Sequence, residues 1–532
     1  MNISTDESAL LAFKSRISTD PSNILIKNWS ASTPVCVWIG VTCGHRHQRV
    51  TALDISSRNL IGNIPSQLGN LSFLVSINLS SNYFYGSLPR EMIQLRRLKI
   101  IDFGFNSFSG QIPSWFGFLQ NLQLLNLRNN SFTGFIPPSL SNISMLQDLD
   151  LTLNPLQGKI PEEIGNLHNL KTLILQSNRL TGLIPLTIFN ISTLEILSFT
   201  ENNLSGNLPV DICRGLPRIN VLSVSSNELD GEIPSNLSEC SQLQGLSLSF
   251  NKFRGSIPSE IGRIRTLQIL YLASNDFSGA IPPELGNLEN LVELDVARNF
   301  LMGSIPASIF NISTLQYIGV SRNNLSGNHD RLVLGYELPN LLQLYLSDNN
   351  FHGRIPNSIA NSSKLTEIDL SDNNFISESP ELSFITSFTR CRYLMKLNFG
   401  DNPLNGLLPV SVGNLSTSLQ YLRGYKCDLW GSIPKEIGNL SSLIVLSLYG
   451  NQLRGSIPTS VVDLQKLQGL GLISNKISGS TPDTLCELRR LNGLLLSQNL
   501  ITGAIPDCIG NITTEVNIFH VHPLIGTFRG AI

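Results

Sequence analysis

Leu74-Val-Ser-Ile-Asn-Leu-Ser-Ser-Asn82 recurs as Leu267-Gln-Ile-Leu-Tyr-Leu-Ala-Ser-Asn275 and as Leu443-Ile-Val-Leu-Ser-Leu-Tyr-Gly-Asn451. The shared pattern is LxxLxLxxN, continued by xLxGxIP. About nineteen copies can be counted along the chain. The ninth position falls on Arg58, Asn82, Asn106, Asn130, Asn154, Asn178 and Asn202 at a strict step of 24, and a few longer steps carry it from Asn227 to Asn499. LxL alternates with period two, so its leucines point inward from a short strand while the residues between them stay outside. One turn cannot bury its own leucines, so a core forms only by stacking neighbours. Asn both donates and accepts, and at a buried bend it can satisfy backbone groups of its own turn and the next. Gly fits the tight bend and Pro ends the pairing. The period is that of a leucine-rich-repeat solenoid.

Composition narrows the function. A net charge of −2, with 14% charged residues, leaves no surplus for polyanions and argues against a nucleic-acid partner. Fifteen Asn-x-Ser/Thr sequons, at Asn2, Asn28, Asn70, Asn78, Asn129, Asn142, Asn190, Asn203, Asn236, Asn311, Asn324, Asn361, Asn414, Asn439 and Asn511, point to a secreted environment. Met1 is followed by no basic start and no apolar stretch of signal-peptide length, and no run is long enough to span a membrane. The reading expects both ends of the natural protein to be missing, with membrane attachment only through an absent transmembrane segment. Signatures for phosphate-loop, serine-hydrolase, zinc-protease and kinase chemistry are absent, so neither an enzyme nor a cofactor is expected. Cys36 and Cys43 with His45 and His47 lack the ligand spacing of a zinc site.

The LxGxIP continuation, the start Asp6-Glu-Ser-Ala-Leu-Leu-Ala-Phe-Lys14 and the segment Cys36-Val-Trp-Ile-Gly-Val-Thr-Cys43 together resemble the ectodomain of plant leucine-rich-repeat receptor-like kinases. Phe-Asn-Ile-Ser-Thr-Leu at 189–194 and 310–315 is most similar to the pattern-recognition group that senses flagellin and elongation factor. The resemblance implies α/β repeats in a plant-type solenoid, curved or superhelical, with a parallel β-sheet on the concave face and short helical or 3-10 segments on the convex side. It implies an amino-terminal cap over 1–49, in which Cys36 and Cys43 match the paired cysteines, followed by repeats over 50–511. It also implies a peptide or protein ligand, a shorter leucine-rich-repeat co-receptor kinase and the extracellular face of the plasma membrane. Residues 512–532 lose the repeat phase and read as an aberrant tail. Two alternatives stay open: a kinase-less secreted or surface binding protein, such as an inhibitor of microbial cell-wall enzymes, and a truncated pseudogene product.

Outward-facing sites lie one, two, four and six residues before each ninth position. In repeats nine to seventeen they supply the candidate ligand-binding residues Phe250, Tyr271, Glu293, Arg298, Tyr317, Arg322, Tyr345, Asp348, Glu367, Asp372, Asp401, Tyr421, Tyr425, Lys426 and Tyr449, with Lys396 and Arg423 in the same columns. Aromatic and Arg side chains bury area with few rotors or several fixed donors. The run Arg298, Arg322, Asp348, Asp372, Asp401, Lys426 reads as a charge stripe that would orient a charged peptide. Candidate glycosylation sites Asn70, Asn142, Asn190, Asn311, Asn361, Asn414 and Asn439 share one phase, twelve residues after the ninth position and off the strand face. Asn78 and Asn129 instead fall on that face in repeats two and four. Cys213 with Cys240, and Cys486 with Cys508, lie on the outer part of adjacent turns, where each pair could staple its neighbours. Cys427 stands in a ninth position and is expected free and buried, and Cys391 has no evident mate. The insertions at 328–338 and 376–391 read as side loops.

Overall fold

The computed structural model describes residues 2–327, 338–377 and 379–503. The chain forms two compact units, residues 1–267 and residues 268–532.

The first unit begins with a cap. Helix Ile3–Ser15 starts at Asn2, whose side chain accepts from the Thr5 amide at 3.2 Å while Thr5 Oγ1 accepts from the Asn2 amide, a reciprocal capping box. The helix buries Asp6, Ala9, Leu10 and Phe13. Arg49 clamps Asp6 with two bonds of 2.7 Å, and the Val50 amide donates to the same carboxylate at 3.0 Å. Strand Val41–Cys43 pairs antiparallel with Val50–Asp54, and Cys36 is disulfide-bonded to Cys43. The other edge of Val50–Asp54 opens the repeat sheet by pairing parallel with Ser76–Asn78. Parallel three-residue strands then follow in register as far as Gly245–Ser247.

The second unit repeats this arrangement from Ile269–Tyr271 to Gly493–Leu495. In each three-residue strand of this sheet the middle leucine or isoleucine is buried, and its neighbours are mostly half-buried or exposed, with Ser198, Gly245 and Gly319 as buried exceptions, so the period-two reading of LxL holds. The ninth-position Asn builds the bend after the strand. Asn323 donates through Nδ2 to the carbonyls of Val296 and Val320 at 3.0 Å, and its Oδ1 accepts from the Leu301 amide at 3.0 Å. Val296 and Leu301 belong to the preceding turn, so each Asn fastens two turns together. A second parallel ladder follows the bend, as in Asp276–Ala280 beside Phe300–Gly303. One strand per turn, as LxL alone suggests, is therefore incomplete: xLxG alternates with the same period and pairs as well. Opposite the strands lie five-residue 3-10 turns such as Ala307–Asn311, each entered through an extended Pro.

The insertion at 376–391 is not a side loop. Helix Ser383–Phe388 takes the place of the 3-10 turn and buries Phe384, Ile385 and Phe388, with Phe384 edge-on to Phe399 at 5.4 Å. Its apolar residues at helical spacing draw it into the core. Most of the insertion at 328–338 and the whole tail at 512–532 fall outside the described residues.

Candidate ligand face

The predicted ligand residues divide between the units. Phe250 belongs to the first unit, and the rest belong to the second. Only the columns four and six residues before the Asn lie in the strands; the other two follow the strand end. The residue just before the Asn adopts a left-handed backbone in turn after turn, with φ of 55–58° at Arg298, Arg322, Asp348 and Asp372 and 47° at Lys426. Counting alone puts this column on the strand face, whereas in the structure it forms the bend after the strand. Its conformation, uncommon for residues other than Gly and Asn, reverses the chain so that the Asn amide can reach inward. At most of these positions the side chain itself carries no signal of the bend.

Within the second unit, tyrosines and carboxylates alternate along the strands. Tyr271 donates to Glu293, Tyr345 to Glu367 at 2.5 Å, and Tyr317 to Asp295 at 3.5 Å. Burial, then the facing carboxylates, push the phenol pKa values of Tyr271, Tyr317 and Tyr345 well above their ordinary range. Burial likewise raises Asp295. Gly319 leaves the space that the Tyr317 hydroxyl and the Asp295 carboxylate occupy: a Cβ there would lie 2.8 Å from each.

Tyr425 lies across Gly400, where an added Cβ would meet its ring at 2.4 Å. It donates to Asp372 at 3.1 Å and stacks on Tyr449 at 4.9 Å with the rings 3° from parallel. Burial, opposed by the nearby Ser371 side chain and reinforced by Asp372, pushes its phenol up to about 12.

The charge stripe is largely self-neutralised. Arg322 pairs with Asp348 at 3.5 Å, Lys426 with Asp401 at 2.9 Å, and Lys396 with Glu367 at 2.9 Å. These residues sit one turn apart at a left-handed bend or on paired strands, which brings opposite charges within reach of each other. Among the described residues of this face, Arg298 and Arg423 have no ion-pair partner. The Arg423 guanidinium lies 5.4 Å from the centre of the Tyr421 ring and is exposed. It borders a recess of about 290 Å³ lined by Tyr345, Glu367, Asp369, Lys396, Asn398 and Tyr421. The acidic groups in this recess are already engaged, Glu367 by Tyr345 and Lys396 and Asp369 by Ser371. Arg423 therefore contributes the free donors.

Away from this face, Asn70, Asn142, Asn190, Asn311, Asn361, Asn414 and Asn439 each end a 3-10 turn. Asn361 Oδ1 accepts from Arg390 at 3.2 Å. Cys213 is disulfide-bonded to Cys240, and Cys486 is disulfide-bonded while Cys508 lies outside the described residues. Cys391 and Cys427 are buried free thiols. The Cys427 Sγ donates to Phe399 and Tyr425 carbonyls at 3.2 Å, in place of the Asn amide.

Models of known families match in the same order. A leucine-rich-repeat N-terminal domain covers residues 3–44, and leucine-rich repeats cover 96–156, 169–191, 242–264, 266–288, 340–362, 364–385 and 442–464. A putative receptor-like protein kinase of Arabidopsis thaliana is 46% identical over 87 residues, 16% of this chain and 8% of that protein. The receptor-like serine/threonine-protein kinase EFR of the same plant is 43% identical over 95 residues, 18% of this chain and 9% of that protein. The matched stretches thus span less than a tenth of these relatives. A solved structure of the Arabidopsis receptor kinase HAESA, in complex with the peptide hormone IDA and the co-receptor SERK1, superposes with a TM-score of 0.79 at 30% identity, covering 96% of this chain and 88% of that one.

Proposed function

The chain belongs to the leucine-rich-repeat ectodomains of plant receptor kinases, and from that premise we propose that the strand face of its second unit binds a peptide or protein ligand. It is a binding domain and not an enzyme. The carrying observation is the contrast on this face between groups locked by their own partners and the two cations left free. Tyr271, Tyr317, Tyr345 and Tyr425 are held in place before any ligand arrives, which lowers the ordering cost of association. Arg298 and Arg423 then offer charged donors to acidic groups of the ligand.

Five strand intervals separate their turns, about 24 Å at 4.8 Å each, so an extended ligand would place the two acidic groups roughly seven residues apart. The finer reading follows the resemblance: a pattern-recognition receptor like EFR, acting on the extracellular side with a shorter leucine-rich-repeat kinase as co-receptor. The sequons and the disulfides support the extracellular side. Among the described residues no helix is long and apolar enough to cross a membrane.

The test is selection of displayed random peptides of about ten residues, the extended length that the eight turns from Tyr271 to Tyr449 accommodate. Selected peptides should be rich in acidic residues at the stated spacing and lose at least roughly tenfold affinity for a Tyr345→Ala/Tyr421→Ala/Arg423→Ala variant, about 1.4 kcal/mol. Peptides that bind parent and variant equally would overturn the assignment.

A further inference from the structure

The sequon Asn129-Asn130-Ser131 lies at a bend of the first unit, not in a 3-10 turn. Its two asparagines differ completely in availability. Asn130 is buried in the ladder, with Nδ2 donating to Phe103, Leu127 and Arg128 carbonyls and Oδ1 accepting from Phe108. Asn129 is exposed, and its amide takes part in no side-chain hydrogen bond among the described residues. Its φ of 50° is the left-handed conformation that Asn tolerates best among residues with a side chain. Ser131, the hydroxyl member, is also exposed at the start of strand Ser131–Thr133.

The neighbours of Asn129 are the second observation. In the same column, one turn to either side, stand Phe105 and Leu153, 43% and 46% exposed. Both hold the same left-handed backbone, at φ 55° and 54°, and both lie about one strand spacing of 4.8 Å from Asn129. Elsewhere in this unit the column holds mostly small or polar residues: Ser57, Ser81, Ser177, Glu201 and Ser226, with Phe250 at the far end. Two large, part-exposed apolar side chains thus flank an unengaged sequon amide, Phe105 with the Arg128 guanidinium 4.8 Å from its ring centre and Leu153 with no ring or cation against it among the described residues.

Asn78, the other sequon on this face, differs on each count. It is half-buried in a strand between Asp54 and Asp102, and its Oδ1 accepts from the amide and hydroxyl of Ser80, at 3.0 and 2.7 Å. Ser80 is its own sequon hydroxyl.

We propose that Asn129 carries an N-linked glycan whose first sugars pack over Phe105 and Leu153, closing the strand face of the first unit to ligands. The donor is a lipid-diphosphate-linked oligosaccharide. Its anomeric C–O bond to the diphosphate breaks, a C–N bond forms to Asn129 Nδ2, which gives up one proton, and the lipid diphosphate leaves. The apolar faces of the sugar rings cover the two side chains, and the outer sugars stay hydrated. The inference rests on the extracellular reading given above.

The experiment is secretion of the whole chain, behind a cleavable export signal, from plant cells. Enzymatic glycan release in ¹⁸O-water, followed by peptide mapping, leaves labelled Asp wherever a glycan stood. Label at Asn129 is expected, and Asn129→Gln and Ser131→Ala should each remove one glycan mass from the intact chain. Both variants should also bind more of an apolar reporter dye than the parent, whereas Asn78→Gln should not. Unlabelled Asn129 in chains labelled at Asn142 and Asn190 overturns the modification alone. Absence of label at every sequon overturns the extracellular reading and this inference with it. Unchanged dye binding after loss of the Asn129 glycan overturns the covering of Phe105 and Leu153.

Discussion

Replacing Asn349 by Ala tests whether the Asn ladder holds the strand face of the second unit in shape. The Asn349 amide donates to Val320, Leu346 and Ser347 carbonyls at 3.0, 3.2 and 3.1 Å, and its Oδ1 accepts from the Leu325 amide at 3.0 Å. The four bonds are not equivalent. Val320 O also accepts from Asn323, Leu346 O from Asn373 and Ser347 O from the Arg322 amide, so these carbonyls keep a donor after truncation. Leu325 is fully buried, and Asn349 is its amide's acceptor. One orphaned buried N–H costs about 1–3 kcal/mol and three shared bonds about 0.5 kcal/mol each, a total of about 2.5–4.5 kcal/mol.

A stack of turns does not unfold as one cooperative block, so a single melting temperature is the wrong readout. Native-state hydrogen exchange resolves the loss by turn. Amides of Leu325 and of strand Gln343–Tyr345 should exchange roughly a hundred- to a thousandfold faster, and turns beyond the nearest neighbours should change little. Asn350→Ala, one residue along at an exposed site, is the control and should leave exchange unchanged. Asn349→Cys should fall between the two. At Cys427 the thiol keeps two carbonyl contacts, while the Leu404 amide turns back to the Asn402 carbonyl at 2.7 Å. Equal acceleration in the Ala variant and the control, or a change spread evenly over the chain, would refute the ladder argument.

Three further perturbations test other parts of the structure. Asp6→Ala leaves the buried Arg49 without its carboxylate and should weaken the cap by about 3–5 kcal/mol, seen as early proteolysis of the first helix, whereas Asp6→Leu with Arg49→Met should recover most of the loss. Opening Cys213–Cys240, which closes a separation of 27 residues, should cost about 3.5 kcal/mol in the chain-entropy account and speed exchange around the helix Ile212–Gly215. Tyr425, pushed up to about 12 against an ordinary phenol near 10, keeps its proton in the folded chain after the unfolded chain has lost it. Its contribution is therefore complete below about pH 10 and fades as pH rises through about 12, so Tyr425→Phe should flatten the alkaline loss of stability. Gly400→Leu, by expelling the ring, should move one phenol toward its ordinary range in an absorbance titration.

The repeat was legible in the sequence because its signal is redundant. Every turn states the same leucines, Asn, Gly and Pro, and a substitution such as Cys427 does not erase the frame. The outward columns followed by counting, and so the residues of the face could be named by position. Two features were not legible. The left-handed bend is made by the backbone and paired through the following Asn, so residues as different as Phe250, Arg298 and Asp348 occupy it alike. Pairing between turns depends on side-chain reach: Tyr425 contacts Asp372, 53 positions away, because Gly400 clears the path. Gly400, the one Gly of that column in the second unit, was the available clue. The helix at 383–388 was also open to reading, since Phe384, Ile385 and Phe388 stand at helical spacing inside what looked like added length.

Pairing changes what the charged residues of this face can do. A cation already facing a neighbouring carboxylate presents that carboxylate to a ligand anion as a like charge, so part of its gain is offset, although these pairs, with their cations exposed, are themselves worth little. Arg322, Lys396 and Lys426 are in that position and chiefly fix the orientation of their surroundings. Arg423 is held against the Tyr421 ring, which orders its guanidinium without using its hydrogen-bond donors. An acidic ligand group meeting it forms charge-assisted bonds with no internal ion pair to break. Under the proposed function, discrimination between ligands should thus concentrate at Arg423 and Arg298, whereas the paired residues and the tyrosines set shape.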